Sequence, residues 1–133
     1  LIVVFTARSQ ASILVIDDEP GVVDLLKKRL ERNEYQVITA TEGAEGLKKA
    51  SEQRPDLILL DIIMPEIDGL TVLRKLKTDE STRKIPVIMV TAKGQTDSVF
   101  EAMQYGATDY IIKPFQWNEL LKFIKRYLDF FEK

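Results

Sequence analysis

Residues 57–76, LILLDIIMPEIDGLTVLRKL, contain one complete copy of the pattern that decides the fold. A short run of leucine and isoleucine at 57–60, ending in Asp61, leads into a polar turn, which is followed by leucines three residues apart, Leu70, Leu73 and Leu76. The run is too short for a buried helix and predicts a strand with both faces covered. The leucine spacing predicts an amphipathic helix. This stretch is therefore predicted to be a strand followed by a helix.

The same βα unit recurs along the chain from residue 13 onward. Apolar runs at 13–17, 36–40, 57–61, 87–91 and 109–112 predict five parallel strands. Helical stripes lie between them, and the last helix is predicted over about 116–131. The other stripes comprise Val22, Val23, Leu26 and Leu30; Ala44, Leu47 and Ala50; and Val99, Ala102, Met103 and Gly106. Right-handed crossovers give a doubly wound α/β fold, a parallel sheet with helices on both faces.

Composition excludes several classes of function. The chain has 133 residues, the size of one domain, which we assign to 12–133, with 1–11 as a tag, linker or N-terminal extension. The absence of cysteine and histidine excludes disulfides, thiolate catalysis and catalytic triads that need histidine. A net charge of −2 gives no basic field for direct nucleic-acid binding, and no apolar run predicts a membrane span. A cytoplasmic location is expected.

Chemically useful side chains follow four of the five predicted strands. Asp17 and Asp18 follow the first strand, Asp61 the third, Thr91 the fourth and Lys113 the fifth. Ligands of open parallel sheets bind beyond these carboxyl ends, and clustered carboxylates repel one another unless a cation lies among them. Mg²⁺ suits such oxygen ligands. A carboxylate beside a metal and a lysine can attack phosphorus, so the pattern indicates phosphoryl transfer.

Four segments carry a resemblance to a known family. They are VIDDEP at 15–20, LLDIIMPEIDG at 59–69, VIMVTAKG at 87–94 and GATDYIIKPF at 106–115. Over residues 13–131 the chain resembles the receiver domain of two-component response regulators. The resemblance implies a flavodoxin-like sheet of strand order 2-1-3-4-5. It also implies a phosphorelay switch, phosphorylated by a phosphohistidine on a sensor histidine kinase or phosphotransfer protein.

The resemblance assigns the acceptor and the metal ligands. Asp61 would be the phosphoacceptor. Asp18 would bind Mg²⁺ directly and Asp17 mainly through water, with the backbone carbonyl of Ile63 completing the protein ligands. Mn²⁺ would substitute for Mg²⁺.

The resemblance also assigns the switch residues. Thr91 would turn toward the phosphoryl group and Tyr110 would swing inward behind it. Lys113 would pair with phosphoryl oxygens, and its bond to Pro114 would be cis. Partner binding, and a possible homodimer, would use the face formed by the fourth helix, fifth strand and fifth helix. The output domain or target is unknown. Catalysis would be limited to self-phosphorylation and slow autodephosphorylation, at a rate influenced in the family by positions 63 and 93, here Ile63 and Lys93.

Other interpretations remain open at this point. A Mg²⁺-dependent phosphatase would need a general acid two residues after Asp61, where the chain has Ile63. A flavin carrier would need N–H groups and hydroxyls where the first loop has carboxylates. In the last helix a second stripe, Phe123, Tyr127 and Phe130, predicts either burial under the N-terminal segment or a partner face. Taken singly, the acid pair, Thr91, Tyr110 and Lys113 are ordinary surface or strand residues, and only their joint pattern indicates a site.

Overall fold

A computed structural model describes residues 10–92 and 96–128, which form five strands alternating with five helices. The strands are β1 (Ser12–Ile16), β2 (Gln36–Ala40), β3 (Leu57–Asp61), β4 (Val87–Ala92) and β5 (Asp109–Lys113). The helices are α1 (Pro20–Arg32), α2 (Gly43–Gln53), α3 (Gly69–Thr78), α4 (Thr96–Gln104) and α5 (Trp117–Leu128). Each predicted strand is present, with its ends shifted by at most one residue.

The sheet is parallel throughout and its strand order is β2-β1-β3-β4-β5. The predicted doubly wound fold and strand order are therefore confirmed. β3 is the central strand, and its Leu59 is in register with Val15 of β1 and Ile88 of β4. All five residues of β1 and of β3 are buried, because helices cover both faces of the sheet.

Two apolar layers hold the helices against the sheet, because alternate strand residues point to opposite faces. The layer under α1 and α5 contains Ile13, Val15, Leu57, Leu59, Val23, Leu26, Leu30, Leu120, Ile124 and Leu128. The layer under α2, α3 and α4 contains Leu14, Ile16, Ile58, Leu60, Ala50, Val72, Leu73, Leu76 and Ala102. Burial of this apolar surface on both faces is the main stabilising contribution to the domain.

The buried face of α2 differs from the predicted stripe. Ala44 is exposed, and the helix instead buries Gly43, Gly46 and Ala50. A Cβ atom at Gly46 would lie 2.6 Å from Cδ1 of Ile16, so the glycine lets the helix approach β1 closely. On α4, Met103 of the predicted stripe is also exposed, whereas Ala102 is fully buried.

Helix starts follow local rules. Pro20 occupies the first turn of α1, where its missing N–H costs no hydrogen bond. Asp68 caps α3, since its Oδ1 accepts a hydrogen bond of 2.9 Å from the Thr71 N–H. These local signals place the loops that follow β1 and β3, which carry the candidate site.

Three stretches of the chain, two of them terminal, lie outside the described residues. Residues 1–9, 93–95 and 129–133, and with them Lys93, Phe130 and the predicted end of the last helix, lie outside the described residues. Phe123 and Tyr127 are half-buried against the core under α5. Ala11 is buried, and its carbonyl accepts a 2.9 Å hydrogen bond from the Gln36 N–H. The described helices include none with the length and apolar character to cross a membrane.

Candidate functional site

Three strand ends bring the predicted site residues together. Asp17 follows β1, Asp61 ends β3 and Lys113 ends β5, all at the carboxyl edge of the sheet. Carboxylate oxygens of Asp17, Asp18 and Asp61 lie within 4.8 Å of one another. Asp17 and Asp61 are almost fully buried, with side chains 4% and 6% exposed, whereas Asp18 is half-buried. This edge therefore holds a dense negative charge.

The Lys113 ammonium partly balances that charge. Its Nζ donates to Oδ2 of Asp17 at 3.0 Å and to Oδ2 of Asp61 at 3.3 Å. Burial disfavours the charged forms of these carboxylates and of the lysine. Attraction between the ammonium and the two carboxylates compensates part of that penalty. The pKa of Lys113 shows the balance: burial acts to lower it, but hydrogen bonds and attraction from Asp17 and Asp61 outweigh burial and raise it.

The pKa of the Asp61 carboxyl group is strongly raised in the folded domain. Its pKa rises from 3.8 to about 6, mainly through burial and then through repulsion from Asp17. Attraction from Lys113 and a hydrogen bond from the Ile63 N–H, 3.3 Å from Oδ1, act in the opposite direction. The folded domain therefore carries an unfavourable negative charge at Asp61, which a bound cation would relieve.

The loop after β3 is shaped around the Asp61 backbone. A Cβ atom at Gly69 would lie 2.1 Å from the Asp61 carbonyl oxygen and 2.6 Å from Cα of Ile62, so glycine is required there by close approach. The Gly69 N–H donates to the Ile62 carbonyl at 2.8 Å. The Ile63 side chain is 53% exposed and offers no acid to the site.

The two predicted switch residues occupy neighbouring strands. Thr91 is fully buried on β4, one residue beyond Val90, the register partner of Asp61. Its Oγ1 donates to the Ala92 carbonyl at 3.4 Å. Tyr110 on β5 is 37% exposed and lines a groove of about 540 Å³ with Glu119 and Phe123. The Lys113–Pro114 peptide bond is cis.

A second groove that Lys113 also lines lies between α1 and the start of α5. It has a volume of about 560 Å³ and is largely apolar. Its walls are Val22, Leu25, Leu26 and Arg29 from α1, and Lys113, Pro114, Phe115 and Trp117. The Arg29 guanidinium lies 5.6 Å from the centroid of the Trp117 ring.

The donor set fits a hard divalent cation. Asp17, Asp18 and Asp61 offer only oxygen, and such ions take one or two carboxylates together with water and phosphate oxygens. Asp18 is the least buried of the three. Burial, and then repulsion from Asp17, raise the pKa of Asp61, so a cation bound beside this carboxylate would stabilise its charged form.

Sequence reasoning did not assign a role to Glu19. Its Oε1 lies 3.7 Å from Nζ of Lys113. The only signal was its place in the VIDDEP segment, beside the acid pair. Asp56 lies just before the other end of β3, where its Oδ2 accepts hydrogen bonds from the N–H of Ser12 at 2.8 Å and from the Ser12 Oγ at 3.4 Å. Asp56 thus ties β1 to β3 away from the site.

Comparisons with known proteins agree with this geometry. The family model of the response regulator receiver domain matches residues 13–125. The chain is 42% identical over 116 residues to the DNA-binding dual master transcriptional regulator RpaA of Synechocystis sp., covering 87% of this chain but 48% of that protein. It thus spans about half the length of that curated relative.

Solved structures show the same fold. A CheY-like response regulator receiver domain protein from Methanospirillum hungatei superposes with a TM-score of 0.85 and 32% identity, covering 92% of this chain and 97% of that one. The receiver domain of a sensor histidine kinase from Pseudomonas aeruginosa PAO1 gives a TM-score of 0.83 and 29% identity, covering 90% and 98%. That structure has a magnesium ion coordinated in its active site cleft.

Proposed function

The chain belongs to the response regulator receiver domain family, and from this membership we propose that it is a phosphorelay switch in which Asp61 is the phosphoacceptor. The observation that carries the proposal is the buried Asp61 carboxylate, held 3.3 Å from the Lys113 ammonium and beside two further carboxylates. A buried carboxylate with an adjacent cation is a suitable nucleophile toward phosphorus.

The proposed donor is a phosphohistidine on a sensor histidine kinase or a phosphotransfer protein. An Asp61 carboxylate oxygen attacks phosphorus, the bond from phosphorus to the donor imidazole nitrogen breaks, and the imidazole leaves with the electron pair and takes up a proton. Lys113 and the Thr91 hydroxyl are proposed to contact the phosphoryl oxygens, where negative charge is spread in the transition state. With such a donor, the domain would act in the cytoplasm.

Asp17, Asp18, Asp61 and the Ile63 carbonyl are the proposed ligands of Mg²⁺, with Mn²⁺ as a substitute. When bound, the ion would neutralise charge on the carboxylates and on the phosphoryl oxygens. Support for this assignment comes from the oxygen-only donor set and from the magnesium ion in the related Pseudomonas structure.

The proposed output surface is the face formed by α4, β5 and α5, which would also serve any homodimer. It exposes Phe100 and Met103 from α4 and Tyr110 and Ile112 from β5. Exposed apolar side chains of this kind are typical of partner surfaces. We propose that Thr91 turns toward the phosphoryl group and that Tyr110 moves inward, which would change this surface. The downstream output domain or target is unknown.

Turnover as a phosphatase is less well supported than a switch. The position two residues after Asp61 holds Ile63, which is apolar and exposed, so a general acid is lacking there. We therefore propose that the chemistry stops at self-catalysed phosphotransfer and slow loss of the phosphoryl group.

The test is phosphorylation of the purified chain by acetyl phosphate and Mg²⁺, followed by intact mass. We expect one acid-stable, base-labile phosphoryl group on the wild type and none on Asp61→Asn. Asp56→Asn is the matched control, because it makes the same change just before the opposite end of β3 and keeps an oxygen acceptor for Ser12. Equal labelling of Asp61→Asn and wild type would show that the assignment is wrong.

A further inference from the structure

Three carboxylates share the ammonium of Lys113, and they differ in exposure. Asp17 and Asp61 lie 3.0 and 3.3 Å from Nζ and are buried. Glu19 lies 3.7 Å from Nζ, but its side chain is 64% exposed. An anion that approaches Lys113 from solvent therefore competes with Glu19 for the ammonium, rather than with the buried Asp17 and Asp61.

The Glu19 side chain does not cap its helix through a hydrogen bond. Glu19 is the N-cap residue of α1, yet its side chain makes no cap hydrogen bond. Its backbone N–H donates to Oδ1 of Asp17 at 3.0 Å, a contact that any side chain at this position would preserve. Glu42 is the matching N-cap residue of α2, also exposed and also without a side-chain cap bond.

We propose that Glu19 is an electrostatic gate on Lys113: its carboxylate occupies the ammonium in the resting domain and must release it when a phosphoryl group arrives at Asp61. This inference rests on the proposed function, because it takes Asp61 as the acceptor. Glu19 is a positioning residue, since it acts through Lys113 and contacts none of the reacting atoms.

The proposal predicts the direction in which the charge of Glu19 changes anion binding. The ammonium has three N–H donors, and in the resting domain Asp17 and Asp61 each accept a hydrogen bond from it, with the Glu19 carboxylate next to it. A phosphoryl group brings further anionic oxygens, so it must displace Glu19 and overcome its repulsion. Removing the charge of Glu19 should therefore favour anion binding. Since the Glu19 carboxylate is exposed and lies 3.7 Å from the ammonium, we expect an effect of about two- to five-fold.

The experiment compares the full chain with Glu19→Gln and Glu42→Gln in Mg²⁺ at low ionic strength. The initial phosphorylation rate is measured against acetyl phosphate concentration, and binding of beryllofluoride, an anionic mimic of the phosphoryl group, is measured at equilibrium. We expect Glu19→Gln to lower the half-saturating donor concentration and the beryllofluoride Kd by about two- to five-fold, with the maximal rate little changed. Glu42→Gln should match the wild type.

Salt provides a readout that a purely structural role would not move. At about 1 M salt the screening length is about 3 Å, so the difference between Glu19→Gln and the wild type should largely disappear. A gain in Glu19→Gln that is unaffected by salt would contradict an electrostatic gate.

The remaining outcomes separate this inference from the proposed function. If the wild type is labelled and Glu19→Gln behaves identically, or is labelled more slowly at unchanged thermal stability, the gate is overturned while Asp61 remains the acceptor. If the wild type takes up no phosphoryl group at all, the proposed function fails and the gate fails with it.

Discussion

The ammonium of Lys113 lies 3.3 Å from Oδ2 of Asp61, so the end of β5 is tied to the end of β3 across the intervening strand β4. The same ammonium lies 3.0 Å from Asp17 at the end of β1. One lysine thus compensates two buried carboxylates that come from different strands. The stability and the chemistry of this edge of the sheet depend on the same cation.

Replacing Lys113 by methionine should destabilise the domain in the absence of metal. The change leaves two buried carboxylates without their counter-charge, and such losses cost about 3 kcal/mol or more in the free energy of unfolding. Urea unfolding at pH 7 in EDTA measures the loss. The control is Lys27→Met, which breaks an exposed pair with Glu31 and should cost less than about 1 kcal/mol. Equal losses in the two variants would contradict this account of Lys113.

Replacing Asp61 by asparagine should stabilise the metal-free domain at pH 7. The pKa of Asp61 is raised to about 6 in the folded state, so the folded domain binds more protons than the unfolded chain between about pH 4 and 6. Wild-type stability therefore falls as the pH rises through that window, and the variant avoids the loss. The expected gain at pH 7 is about 1–3 kcal/mol and should vanish below about pH 4.

Thermal unfolding in EDTA at several pH values measures this gain. Asp68→Asn serves as the control, since Asp68 is exposed and asparagine caps a helix equally well. If the unfolding stability of Asp61→Asn varied with pH in parallel with that of the wild type, the Asp61 charge would not destabilise the folded state.

Mg²⁺ should raise the unfolding temperature of the wild type, because an ion that binds only the folded state stabilises it by mass action. The gain is about 2.7 kcal/mol at a concentration one hundred times Kd. Asp18→Asn should weaken the response, shifting the Mg²⁺ dependence to higher concentration. Asp24→Asn, on the exposed side of α1, should respond like the wild type. An unchanged response in Asp18→Asn would remove Asp18 from the ligands.

Replacing Gly69 by alanine should destabilise the domain by about 1–3 kcal/mol, because the added Cβ meets the Asp61 carbonyl oxygen at 2.1 Å and backbone must move. Gly21→Ala, where a Cβ meets nothing within 4 Å, is the matched control and should be neutral or slightly stabilising. Thermal unfolding compares the two. A Gly69→Ala domain as stable as the wild type would show that the loop after β3 yields easily.

Much of the fold follows from local sequence, because buried parallel strands need continuous apolar runs such as 57–60. The face of α2 could not be predicted as well. Gly43 and Gly46 have no side chain to give a hydrophobic period, and their burial depends on how closely β1 and α3 approach. Ala44, which fits a helical stripe, is exposed because the tight contacts lie on the glycine side.

In the candidate site, too, some features follow from the sequence and others depend on three-dimensional packing. Strand ends place Asp17, Asp61 and Lys113 at one edge, which follows from topology alone. The reach of Lys113 across β4 and its third contact with Glu19 depend on side-chain conformation, which no spacing in the sequence specifies. The close approach of Gly69 to Asp61 likewise becomes visible only once the loop after β3 is built.

The groove between α1 and α5 gives this chain an optical reporter of its own. Trp117 is the only tryptophan in the sequence, and it shares that groove with Lys113 and Pro114. Indole emission responds to nearby charge and polarity, and here the indole also stacks under Arg29. Movement of the lysine during signalling would therefore alter the fluorescence of the unlabelled protein, so that the switch could be followed in real time without a dye.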